Sequence, residues 1–224
     1  MIAVVGLPAY VGLASGEGGV GGPAVQVAAA ASALGRATEL IGKIGDDGAG
    51  DAVVLALGRL GIGHAALLRD PVRPTPVLSI MAAADNSEDS ETEWEPVGDS
   101  PEMSLLPADS NARPVLEAGD ISLALRYLTE ARVVVLAEPL SDEAVAAAVE
   151  GSAFAGARLV VLLPPGATPP PLPPEATVLE APAVDDGSFG RLVGAFAADL
   201  DAGSEPAAAF EGAVRTVGWE PVAD

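Results

Sequence analysis

Between Ile2 and Gly61 the chain alternates short apolar runs with longer Ala- and Leu-rich stretches, and glycine stands at most of the junctions. Ile2–Val5 reads as a buried strand ended by Gly6, and residues 24–34 read as a helix stopped by Gly35. Residues 37–41 read as a second strand, 42–50 as a loop, and 51–60 as a helix ended by Gly61. A strand–helix–strand–helix order requires parallel strands joined by crossovers, and a parallel sheet must be covered on both faces. This stretch therefore directs the chain to an α/β sandwich rather than to a helical bundle or an antiparallel barrel.

The remainder continues the alternation. Strands are expected at 77–82, 133–137, 159–163 and, briefly, 177–179, with helices at 121–128, 192–200 and 207–217. Ser141 caps a further helix through Val149, with Asp142 and Glu143 in the first turn, where the dipole favours them. Residues 164–174 are proline-rich and should form a stiff connection. No internal repeat is present, and residues 1–224 are expected to form one domain. Half the residues are hydrophobic but only 4% are aromatic, so the core must be built from Ala, Val and Leu. Small side chains of this kind let helices lie close on a sheet.

Charge excludes several functions. The formal net charge is −21 at pH 7, which opposes binding to nucleic acid or to an anionic membrane surface. Its simplest meaning is solubility. Cysteine is absent, which removes disulfides, thiolate nucleophiles and Cys–zinc sites. No basic leader precedes the first strand and no apolar run is long enough to span a bilayer, so a cytoplasmic location is expected.

Several motifs have simpler meanings than a functional site. Residues 85–95 hold six carboxylates, which repel one another and suit a solvated loop. They lack the glycine and spacing of an EF-hand, so no metal is expected there. Gly16 to Gly21 satisfies G-x-G-x-x-G, but it lies too far beyond the first strand for a dinucleotide fingerprint, and the next strand offers no carboxylate for a ribose. His64 has no Cys or second His as partner and suits a turn; Trp94 and Trp219 lie in polar segments; Lys43 suits a solvated loop.

The informative stretch is 21–61, where Gly21-Gly22 opens an Ala-rich helix, a strand follows, and Gly42-x-x-Gly45-Asp46-Asp47-x-x-Gly50 leads into the next helix. This pattern resembles the first signature of the ribokinase-like (PfkB) carbohydrate kinases. The resemblance extends to Thr75-Pro76 before the 77–82 strand, to Ala137-Glu138-Pro139 closing a strand, and to the strand at 158–165. It implies a three-layer α/β/α sandwich with a mostly parallel sheet and a small β lid, the lid and substrate loop falling in 9–22 and 75–115. It further implies a sugar or nucleoside bound beneath the lid, ATP and Mg if phosphoryl transfer occurs, and a homodimer joined through the lid strands.

Matched residue by residue, the resemblance weakens at the chemistry. The implied substrate-binding positions are Gly21, Gly22, Gln26 in place of an Asn, and Tyr10 in place of an Asp. The Gly-Ala-Gly-Asp motif that supplies anion hole and base is absent, and Gly190 stands at the position of the base. Asp185 and Asp186 are the candidates for a displaced base. The connection from 164 to 184 leaves space for one strand, where the family builds its nucleotide pocket. The sequence thus points to a sugar-kinase-like protein without turnover, needing no cofactor and binding a small sugar or nucleoside. The alternatives are a divergent ATP-dependent sugar kinase and a non-catalytic oligomeric interaction protein.

Overall fold

A computed structural model describes residues 1–12, 18–79, 112–185 and 187–218. Its main sheet has six strands, all parallel, in the order β5 (Leu67–Asp70), β4 (Thr38–Gly45), β1 (Ile2–Val5), β7 (Val133–Leu136), β8 (Arg158–Leu163) and β9 (Thr177–Glu180). β1 is flanked in register by Thr38 to Ile41 on one side and Val133 to Leu136 on the other. Alternate residues of these strands enter two different cores, which is why the strands read as unbroken apolar runs. Ile2, Val4, Val133, Val135, Val160 and Leu162 face α1 (Pro23–Ala33), α2 (Gly48–Arg59), α5 (Ser188–Asp201) and α6 (Pro206–Val217). Ala3, Val5, Val134, Leu136, Leu159 and Val161 face α3 (Ala118–Tyr127) and α4 (Asp142–Ala155). The result is the expected three-layer sandwich.

A second sheet of three strands lies over α2. β2 (Ala9–Gly12) pairs antiparallel with β3 (Gly19–Gly21) and parallel with β6 (Val77–Ser79). Tyr10 and Val20 pack it against the main core, and one carboxylate fastens the segment that leads into β6. Asp47 caps α2 by accepting from the Gly50 N–H at 2.8 Å, and it also accepts from the Thr75 hydroxyl at 2.7 Å and the Thr75 N–H at 2.8 Å. Thr75 is 3% exposed, and its oxygen in turn accepts from the Gly45 N–H at 2.9 Å. A Cβ on Gly45 would stand 2.5 Å from the Thr75 nitrogen, and one on Gly50 would stand 2.5 Å from the Gly45 oxygen. The glycines of the 42–50 pattern therefore let two chain segments close around Asp47. Burial alone would raise the Asp47 carboxyl, but the Thr75 and Gly50 hydrogen bonds, aided by Arg69, hold it below the usual carboxylate range.

Several elements differ from their sequence expectation. β4 runs on to Gly45, where a loop was expected from 42, because β5 offers it a partner. α4 extends to Ala155 and ends on Gly156 at φ 66°. α3 starts at Ala118 on a capping box between Glu117 and Asp120. Lys43 is not free in solvent: its amine donates to Asp120 at 2.7 Å and to the Val115 carbonyl at 3.2 Å, fastening α3 to β4. The acidic 85–95 run, Trp94, Trp219, Asp186 and the first residues of the G-x-G-x-x-G match lie outside the described residues. No helix is long and apolar enough to cross a membrane among the described residues.

Candidate functional site

The chain leaves β1 toward α1 on one face of the sheet and leaves β7 toward α4 on the other. Adjacent parallel strands that part in this way open a crevice at their carboxyl ends, the usual ligand position in open α/β sheets. Beside it, at the carboxyl ends of β7 and β8, lies a cleft of about 270 Å³ whose lining includes Gln26, Glu138, Pro164, Asp185, Phe189 and Gly190. A shallower hollow of about 180 Å³, with Leu7, Arg113 and Ser141 in its lining, lies on the other side of Glu138.

Glu138 belongs to both. It stands two residues beyond the buried end of β7, and its Oε1 accepts the Leu7 N–H at 2.6 Å. Gly6, just before Leu7, lets α1 come close to the end of β1: a Cβ there would lie 2.8 Å from the Ala24 Cβ, whereas the Glu138 side chain at 3.5 Å would be in ordinary contact. Burial pushes the Glu138 carboxyl above the usual range, with the Leu7 N–H and the charge of Arg113 opposing it.

The far wall is the start of α5. Asp185 Oδ1 accepts from the N–H groups of Gly187 and Phe189, both at 3.0 Å, so the carboxylate satisfies amides that the helix would otherwise leave open. Two residues into the helix, Gly190 packs on α1. A Cβ added there would stand 2.7 Å from the Gln26 Cβ and 2.8 Å from Gln26 Oε1. The Gln26 side chain, from its Cβ to its amide oxygen, thus occupies the space that a side chain at 190 would need. Deeper in the same helix pair, a Cβ on Gly194 would meet the Ala30 Cβ at 2.5 Å and the Val27 carbonyl at 2.7 Å, so α1 and α5 cross through a glycine contact.

The other sequence-derived positions lie in the small sheet and at the start of α1. Gly22 caps α1 at φ 104°, a conformation that favours glycine, and a Cβ would come within 3.2 Å of the Leu7 carbonyl. Gly21 pairs with Ala9 in the small sheet. Tyr10 lies opposite Val20, and its ring covers Gly18, where a Cβ would fall 2.1 Å from the phenol. Gln26 and Asp185 therefore line the cleft, whereas Gly21, Gly22 and Tyr10 are not in its lining. Sequence reasoning had noted Glu138 only as the acid closing a strand. The signal for more was present in a carboxylate placed between a fully apolar strand and a proline.

No protein-family model matches the chain, and no curated protein matches it. Solved structures do. A protein designated Sa239 superposes with a TM-score of 0.67 at 14% identity, covering 99% of this chain and 95% of that one. Arabidopsis thaliana ribokinase, complexed with ribose and ATP, gives 0.63 at 16% identity, covering 96% and 90%. An uncharacterized sugar kinase from Pyrococcus horikoshii in complex with ATP gives 0.52 at 20% identity, covering 73% of this chain and 53% of that one, so the match spans about half of that kinase. The arrangement of a six-stranded parallel sheet between helices, with a small second sheet beside it, is therefore the ribokinase-like fold.

Proposed function

We propose that the chain is a ligand-binding protein built on a sugar-kinase fold that does not transfer phosphoryl groups. The observation that carries this reading is the interlock of Gln26 with Gly190. A general base must reach the attacking hydroxyl, glycine has no proton acceptor to offer, and the adjacent volume is filled by the Gln26 amide. The start of α5 supports the same reading. Backbone N–H groups that stabilise a transferring phosphoryl must be open to it, and here Asp185 already bonds to those of Gly187 and Phe189. Among the described residues the cleft lining contains no Lys or Arg to neutralise phosphates. These residues do not fit a nucleoside triphosphate with its metal.

The rival is a divergent ATP-dependent sugar kinase with Asp185 or Asp186 as base, and the position of Asp185 on the cleft wall is what favours it. The two readings separate in one assay. Purified protein with Mg and radiolabelled ATP, offered a panel of pentoses, hexoses and nucleosides, is expected to leave every acceptor unlabelled. Transfer to any acceptor, abolished by Asp185→Ala combined with Asp186→Ala, would establish the rival.

A further inference from the structure

The lining of the cleft also constrains what it accepts. Its formally charged side chains, among the described residues, are both carboxylates, Glu138 and Asp185. Two basic side chains stand beside the cleft without lining it: Arg113 lines the hollow on the opposite side of Glu138, where its charge reaches that carboxyl, and Arg191 lies by Gly187. The α5 N-terminus, which would attract an anion, is already neutralised by Asp185. The walls are largely apolar, formed by Pro23, Pro139, Pro164 and Pro165 with Leu163 and Phe189, and Gln26 is the one uncharged amide among them. Such surfaces suit the C–H faces of a small ring, with polar groups kept for the acids and the amide. The field of a chain with net charge −21 adds to the same preference.

We infer that the ligand of this cleft is a small ring bearing a protonated amine, an amino sugar being the type, and that phosphate esters are rejected. The ammonium is held by Glu138, whose carboxylate is fixed by the Leu7 N–H at the end of β1. Ring hydroxyls pair with Gln26, and the ring rests on the prolines. This inference rests on the ligand-binding reading above and narrows it to a charge class.

Three probes sharing one ring test it: glucosamine, glucose and glucose 6-phosphate, titrated calorimetrically at neutral pH and low salt. Glucosamine is expected to bind about tenfold tighter than glucose, the scale of one partly buried charge-assisted contact, with glucose 6-phosphate weakest. Glu138→Gln keeps an acceptor for Leu7 and should bring glucosamine to within about threefold of glucose. Far-ultraviolet dichroism and the melting temperature of the variant establish that it is folded. Glucose binding as tightly as glucosamine would overturn the inference and leave the ligand-binding reading standing. A glucosamine preference unchanged in folded Glu138→Gln would overturn the role of Glu138. Glucose 6-phosphate binding tightest, or no binding by any of the three, would overturn both the inference and the reading beneath it.

Discussion

Replacing Asp47 with alanine removes the acceptor for three hydrogen bonds at once, from the Gly50 N–H, the Thr75 N–H and the Thr75 hydroxyl. Loss of an N-cap costs about 0.5–2 kcal/mol. A buried polar group left without its partner costs about 1–3 kcal/mol, and Thr75, 3% exposed, cannot turn to water. Asp47 is itself partly exposed and the contributions overlap, so the expected loss is about 3 kcal/mol rather than the sum of the upper limits. For a domain of this length that corresponds to a fall in melting temperature of roughly 6–12 °C. Urea denaturation gives the free energy directly. Asp47→Asn, which keeps one acceptor oxygen, should lose less, and Asp47→Ala with Thr75→Val should be non-additive by about 1 kcal/mol. The acid limb supplies a second readout. The Asp47 carboxyl titrates below its unfolded value near 3.9, so its stabilisation is complete above that pH and disappears as pH falls through the lower folded value. Asp47→Asn should therefore flatten the stability profile below about pH 4. A loss under about 1 kcal/mol for Asp47→Ala, or strict additivity with Thr75→Val, would refute the clamp.

Other consequences follow from the same geometry. Gly194→Ala should destabilise by about 1–3 kcal/mol despite its better helix propensity, because its methyl meets Ala30 and the Val27 carbonyl; calorimetric melting gives the sign. Gly190→Asp should also destabilise by about 1–3 kcal/mol through Gln26, gain no phosphoryl transfer, and recover only part of the loss when combined with Gln26→Ala in a urea titration, since alanine removes the Oε1 contact but keeps the Cβ. Glu138 has the opposite sign to Asp47. Its folded carboxyl is raised by burial, so the native state holds its proton longer and stability falls as pH rises from about 4.3 through the raised value. Glu138→Gln should remove that decline, leaving the variant at least as stable as the parent at pH 7, as read from urea midpoints across the range.

Much of the fold was legible because its strands are buried on both faces. Runs such as Val133–Leu136 and Arg158–Leu163 are apolar at nearly every position, and glycines mark where helices stop. What escaped has small elements or distant partners. β2 and β5 are short, with sequences AYVG and LLRD that take strand form only because neighbours pair with them. The spacing of Gly45, Asp47 and Gly50 announced a cap, but Thr75 lies 28 residues from Asp47 and nothing in the motif names it. Asp185 read as a candidate base and lines the cleft, while its main-chain bonds make it the cap of α5. Gln26 and Gly190 each read as a departure from a resembled pattern. In the fold they touch: the Gln26 Cβ and Oε1 both stand where a Cβ at 190 would be.

The central claim, that the cleft is not a phosphoryl-transfer centre, is tested most directly by nucleotide binding, which requires no choice of acceptor. Thermal denaturation of the purified chain is followed across titrations with Mg-ATP and Mg-ADP into the millimolar range. The account predicts no saturable rise in melting temperature for either nucleotide. A saturable rise, reaching the stabilisation of about 2.7 kcal/mol expected at 100 times the dissociation constant, would contradict it and restore the kinase.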